Sequence, residues 1–178
     1  MQLKEHILYG GSVSIVLFPI IGIKTIFFFF ASVLIDVDHY IDFLYFGKFK
    51  NWNVRKMFEF HHLGTQWRNN ANFYILEAFH TSEFLLVLLV LSIYFNSLEL
   101  FLIFTGMVFH ILLDLIRLHK LGAMHVRALS FVEYWIRSKK MKQSGINPEK
   151  IFEEIYATMT EISATELQRG SADSLKPL

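Results

Sequence analysis

The stretch Ile35-Asp36-Val37-Asp38-His39-Tyr40-Ile41-Asp42 sets three carboxylates and an imidazole close together directly after a strongly apolar run. Acidic groups are among the costliest to place against hydrocarbon, so a cluster at the mouth of an apolar segment points to function. Carboxylates this close do not all stay ionised without a cation, and mixed Asp and His donors suit a divalent metal. A helical continuation puts Asp36 and His39 on one face at i, i+3, and Asp38 and Asp42 on another at i, i+4. A solvated helix end is the competing reading. His110 and Asp114 form a second such element, an i, i+4 pair that can offer two ligands to one metal or serve as a hydrogen-bonded pair pinning two helices. Glu59, His61 and His62 form a third, with one of the two histidines, His62 favoured, as a further ligand and Glu59 as a general base. Glu77 and Glu83 flank His80 as supporting carboxylates. His119 and His125 read as structural or lipid-contacting.

The elements that must position these groups read as two helical hairpins. From Ile7 to Ile35 the only strongly polar side chain is Lys24, and the run is interrupted by Pro19-Ile20-Ile21-Gly22. Pro and Gly together punctuate helices, so a first helix over about Leu3 to Phe18 and a second over about Ile23 to Ile35 run antiparallel, which brings His6 level with Asp36. Residues 84–95 and 98–118 are a second pair of apolar helices around Asn96-Ser97, and there His80 comes level with His110 and Asp114. Both hairpins gather their His and Asp residues at one end and leave the other almost without ionisable groups.

Composition agrees with a membrane setting. The chain has 178 residues, is 53% hydrophobic with 19 Phe, and has a mean hydropathy of +0.38, against about 45–50% apolar in ordinary soluble domains. A net charge of +1 gives no electrostatic case for nucleic acid. Cysteine is absent, which excludes disulfides, thiolate nucleophiles and Cys-ligated zinc; a metal must be held by His, Asp or Glu. The start, with Glu5 and His6 ahead of the apolar run, reads as a mature N-terminus rather than a cleavable signal. Lys4, Lys48, Lys50, Arg55, Lys56, Arg68, Arg117 and Lys120 lie toward the His/Asp end, so the positive-inside rule puts that end and both termini in the cytoplasm. Helices of about 14 residues reach roughly 21 Å, less than the ~30 Å hydrocarbon core, so the first three must extend into the polar flanks or thin the bilayer.

Between the hairpins an interfacial helix is expected over about Asn53 to His62, with Trp52 and Trp67 at headgroup depth. Beyond Lys120 the chain is amphipathic and basic. Asn147-Pro148-Glu149 reads as the start of a last helix, with Ile151, Ile155, Met159 and Ile162 as its apolar stripe. The domain reading is a membrane-embedded metal-site domain over 1–122, a cytoplasmic amphipathic extension over 123–169 and a flexible tail over 170–178. The fold class is all-α, a four-helix integral membrane bundle of two short hairpins with interfacial and C-terminal amphipathic helices.

His6, the Asp-x-Asp-His element at 36–39, His80-Thr81-Ser82 and the His-x-x-x-Asp at 110–114 resemble a family of small integral inner-membrane metal-dependent hydrolases, more distantly similar to zinc-dependent phospholipases C. Ile35 stands where that family has Pro, and the His-Arg-Gly preceding its Thr-His-Ser is missing, so the likeness is to a divergent member and covers about residues 6–114. The resemblance implies a hydrolase with helix-borne His and Asp ligands. Together with the residues, it gives a reading of a bacterial inner-membrane enzyme that binds two or three zinc ions, or Fe or Mn instead. The expected ligands are His6, Asp36, Asp38, His39, His62, His80, His110 and Asp114, with Glu59 and Asp38 as catalytic residues. The substrate is a lipid or lipid-linked ester, with a phosphoester favoured, and a homo-oligomer is left open. A membrane di-iron oxidative enzyme and a non-enzymatic metal transporter or sensor are the alternatives.

Overall fold

The computed structural model describes residues 3–70 and 72–174, with side chains described to residue 165; the end of the expected tail, 175–178, lies outside the described residues. The protein is all-helical, with no strands among the described residues. Its helices are α1 (Leu3–Ile21), α2 (Thr25–Leu34), α3 (Val37–Phe46), α4 (Val54–Gln66), α5 (Ser82–Tyr94), α6 (Leu98–Lys120), α7 (Phe131–Gln143) and α8 (Pro148–Ser174). They fall into two compact units, one of residues Met1–Asp38 and Tyr74–Lys139, the other of His39–Phe73 and Lys140–Leu178.

In the first unit α1 and α2 form one hairpin, and α5 and α6 the other. The first helix does not stop before Pro19 as expected but runs to Ile21. Pro19 sits exposed in the last turn of the helix and forgoes its own N–H bond there without ending it. What reverses the chain is Gly22, at φ +66°, a left-handed conformation that costs a glycine little. At the other turn Asn96 takes a positive φ of 45°, and Ser97 Oγ accepts the Leu100 N–H at 3.2 Å to cap α6. The two turns lie side by side, since Lys24 Nζ of one is 2.7 Å from Glu99 Oε1 of the other.

Small residues let these helices approach closely. A Cβ at Gly106 would overlap the Phe28 carbonyl, and one at Gly10 would overlap the Ser32 hydroxyl, so α6 seats nearly on the backbone of α2, and α1 closes on the small Ser32 side chain of α2. Ile35, Met107 and Ile111 form the buried apolar cluster between α2 and α6, and Phe84 and Leu88 of α5 pack on it. The outward faces stay apolar: Leu8, Ile15, Val16, Leu86, Val87 and Ile93 are all exposed. The stretch Leu3–Phe46 and the helix Leu98–Lys120 are each long and apolar enough to cross a membrane, and Ser82–Tyr94 is a shorter apolar helix. Only 11% of the most apolar window in the first stretch is buried, which is the reverse of a soluble protein's core helix.

After α6 the chain returns as a strap along residues 75–82. Ile75 N–H donates to the Val126 carbonyl at 2.8 Å, Ala128 N–H to the Ile75 carbonyl at 2.9 Å, and Ser82 N–H to the Leu129 carbonyl at 2.8 Å. Thr81, itself fully buried, caps α5 by accepting the Phe84 N–H.

The second unit has an aromatic core. Phe43 and Phe46 of α3, Phe60 of α4 and Phe152 of α8 surround one another, with Phe46 and Phe152 stacked at 5.2 Å and Phe73 at 4.9 Å from Phe152. Asn53 Oδ1 accepts the Arg55 N–H at 2.9 Å, so α4 starts where an N-cap Asn predicts and runs one turn past the expected His62. Of the expected α8 stripe, Ile151, Ile155 and Met159 are buried and Ile162 is exposed.

Candidate metal centre

Hairpin geometry gathers one group of polar side chains in the first unit. His6 enters from the first turns of α1, Asp36 from the turn between α2 and α3, and Asp38 from the start of α3. His80 comes from the short turn before α5, and His110 and Asp114 from α6. His6, Asp38, His80, His110 and Asp114 are all buried, and Asp36 keeps 22% of its side chain open to solvent.

The distances separate two kinds of contact. His110 Nδ1 lies 2.9 Å from the Ser32 carbonyl oxygen; a carbonyl can only accept, so Nδ1 carries the proton and Nε2 is left facing the centre. His80 Nδ1 lies 2.9 Å from Asp38 Oδ2, which turns its Nε2 the same way. The inward atoms are spaced more loosely. His110 Nε2 is 3.2 Å from Asp36 Oδ1 and 3.7 Å from Asp114 Oδ2, His80 Nε2 is 3.6 Å from Asp36 Oδ1, and His6 Nε2 is 3.4 Å from Asp114 Oδ1.

Donors held about 2.1 Å from one tetrahedral zinc stand about 3.4 Å apart, so these spacings match the edges of a coordination polyhedron better than ordinary hydrogen bonds. Asp36, His80, His110 and Asp114 each offer one ligand atom, all within 4.8 Å of one another. Neither ring nitrogen of His6 nor Nε2 of His110 makes a hydrogen bond among the described residues, although both rings are buried and stack on each other at 3.7 Å. Buried polar atoms are costly unless something accepts them, and a cation would. These buried Asp and His residues can hold a metal ion.

Two further groups frame the cluster. Arg127, buried, donates from Nη1 to Asp114 Oδ2 at 2.9 Å and pairs through Nε with Glu77 Oε2. Burial works against its charge, but the carboxylates of Glu77 and Asp114 outweigh that and hold its pKa above the ordinary arginine value. Glu77 Oε2 lies 3.8 Å from His80 Nδ1. Sequence reasoning placed Glu77 beside His80 but read Arg127 only as part of the amphipathic basic stretch beyond Lys120. Its only local sign is that Val126 and Ala128 on either side are apolar. Arg127 thus bridges Glu77 and Asp114, and a divalent cation would add positive charge on the side of Asp114 that meets His110 and Asp36.

The other expected site residues belong to the second unit. There His39 meets His61, ring centroids 4.1 Å apart, while His62, the histidine favoured as a ligand, is exposed. Glu59 lies 3.3 Å from Arg55 Nε in a surface i, i+4 pair. Glu83 lies outside the cluster, accepting from Ser130 Oγ at 2.8 Å. No family model, curated protein or solved structure matches this chain, so the reading of the centre rests on its geometry.

Proposed function

We propose that the protein is an integral membrane metal-dependent hydrolase whose centre acts on a lipid-linked ester, with a phosphoester as the favoured bond. The two hairpins form a four-helix membrane bundle, and the centre and both termini face the cytoplasm, as the distribution of Lys and Arg suggests. The observation that carries the reading is the pair of anchored imidazoles: His80 and His110 each hold a partner through Nδ1 and aim Nε2 at one carboxylate oxygen, Asp36 Oδ1. Metal-bound histidines are typically fixed in this way.

In this reading Asp36, His80, His110 and Asp114 are ligands to a first cation. His6 with Asp114 Oδ1 begins a second position, and Asp38 orients His80. Zinc fits the His and carboxylate donors and the tetrahedral spacing. Such a cation supplies Lewis acidity to a phosphoryl or acyl oxygen and acidifies water. Asp36, the most solvent-open of the four donors, marks the side from which substrate and water enter. Arg127 holds Asp114 by one oxygen and leaves the other toward His6. The exposed apolar helices around the centre favour a substrate that is itself held in the bilayer.

Metal analysis of the purified protein, paired with hydrolysis assays on phospholipids and prenyl phosphates, tests the proposal. Bound zinc with turnover lost on chelation is the expected result. Bound iron with an oxygen-sensitive spectrum would replace it with an oxidative enzyme, and ion flux in proteoliposomes without turnover would replace it with a transporter.

A further inference from the structure

An apolar groove of about 230 Å³ lies between α2, α5 and α6 in the first unit. Ile35, Val37 and Phe79 form one end of it, and these are the chain neighbours of Asp36 and His80. Met107, one helical turn before His110, lines it next. The far end is formed by Ala31, Leu88 and Ile103. Ile103 lies seven residues before His110, about 10 Å along the helix axis at 1.5 Å per residue. The groove therefore runs parallel to the helices, from the level of the metal donors toward the opposite side of the bundle, and every residue lining it is apolar.

We infer that this groove seats the hydrocarbon chain of a lipid phosphate and so sets the chain's phosphoester against Asp36 and His80. The inference rests on the hydrolase reading and names its substrate class: a phosphate ester whose alkyl or prenyl chain lies along α2, α5 and α6. Three observations single out this occupant. Three of its lining residues, Ile35, Val37 and Phe79, adjoin Asp36 or His80 in the chain. Two of those lining residues, Ile35 and Val37, bracket Asp36, the most solvent-open of the metal donors. Its volume is below the roughly 300–1,000 Å³ of pockets that enclose a whole ligand, so it suits one stretch of chain whose remainder stays in the bilayer. Phe79 and Phe84, with ring centroids 5.0 Å apart, give the α5 side a stiff aromatic wall.

The test uses the full-length protein in lipid nanodiscs and a dodecyl phosphate carrying a diazirine near the end of its chain, with sites of photo-insertion mapped by mass spectrometry and bound metal measured on the same sample. Insertion is expected at the far end, around Leu88 and Ile103. The same diazirine on dodecanol is expected to label those positions about tenfold less, because it lacks the phosphate that holds the chain there. Ala31→Phe, which fills the groove, should lower labelling by about tenfold, the effect of roughly two buried methylenes, without changing bound metal. Leu88→Trp serves the same purpose from α5 should Ala31→Phe fail to fold. Competition by farnesyl phosphate or by lysophosphatidate tells a branched chain from a straight one, and either result supports the groove. Equal labelling by phosphate and alcohol would mean ordinary boundary lipid and overturn the inference. So would a groove closed to both probes in a protein that runs as a dimer. Absence of metal from the sample would instead sink the hydrolase reading, and loss of phosphate dependence with metal retained would sink the groove alone.

Discussion

His80 and His110 sit in the first unit, and His39 and His61 in the second, and they differ in what their rings hold. Each ring of the first pair anchors Nδ1, to the Asp38 carboxylate or the Ser32 carbonyl, and both turn Nε2 to one oxygen of Asp36. The second pair meets ring to ring at 4.1 Å, and the nearby carboxylate Glu59 is engaged by Arg55 at the surface. In sequence the second region is no poorer in ligand-type residues, with His61 and His62 adjacent and Glu59 two residues before. What the first pair adds to residue type is a visible anchor: an imidazole becomes a dependable donor when its other nitrogen is fixed.

Removing an anchored ligand should have the largest effect. His110→Ala and Asp36→Ala are expected to abolish metal binding, read as metal per protein after purification, while circular dichroism shows the helices retained. Full metal in both variants would dissolve the distinction between the two histidine pairs. Next in size is Arg127→Ala. It leaves Glu77 and Asp114 buried without their cation, a change that costs about 3–5 kcal/mol where a buried pair is broken. The thermal midpoint of metal-free protein in detergent should fall sharply. Metal-loaded protein should fall less, because the bound cation faces the same carboxylates. An equal fall in both states would mean that Arg127 does not share its charge-balancing role with a metal.

The difference between the two regions also explains what the sequence made legible. The turns at Pro19–Gly22 and at Asn96-Ser97 announce themselves through residue type, and antiparallel counting from them brings His6 level with Asp36 and His80 level with His110 and Asp114. The i, i+4 step from His110 to Asp114 is fixed by helical periodicity alone. Arg127 was not legible, because its partners Glu77 and Asp114 reach it only through the strap that pairs Val126 and Ala128 with Ile75, and no periodicity links residue 75 to residue 127. Nor could spacing tell which of His61 and His62 faces His39. Adjacent residues on a helix point about 100° apart, and the choice falls to the packing of Phe60 into the aromatic core. The first helix runs past its expected end, and the chain reverses at Gly22, where a positive φ costs little.

Asp38 gives a smaller effect and sharpens the comparison, since its carboxylate either ligates or orients. With Oδ2 at 2.9 Å from His80 Nδ1, orientation predicts that Asp38→Ala weakens metal binding by about 10–100-fold but still loads at high zinc. Asp38→Asn, whose amide oxygen can accept the same Nδ1–H, should recover most of the affinity. A titration by isothermal calorimetry separates the cases: if Asp38→Asn is as empty as His110→Ala, Asp38 is a ligand.

The smallest effect is expected in the second unit, and it is where the comparison is most exposed to refutation. His62 is exposed, and Glu59 keeps 43% of its side chain in solvent while paired with Arg55. Exposed pairs of this kind contribute about 0–1 kcal/mol, so His62→Ala and Glu59→Gln should leave metal content, thermal midpoint and turnover of a lipid phosphate near those of the unaltered protein. Loss of turnover in Glu59→Gln with metal retained would make Glu59 the general base after all, and chemistry would then depend on a group that holds no anchored imidazole. Loss of metal in His62→Ala would be more damaging, because an exposed ring with no fixed partner would then rank with His110, and anchorage would no longer distinguish a ligand from a bystander.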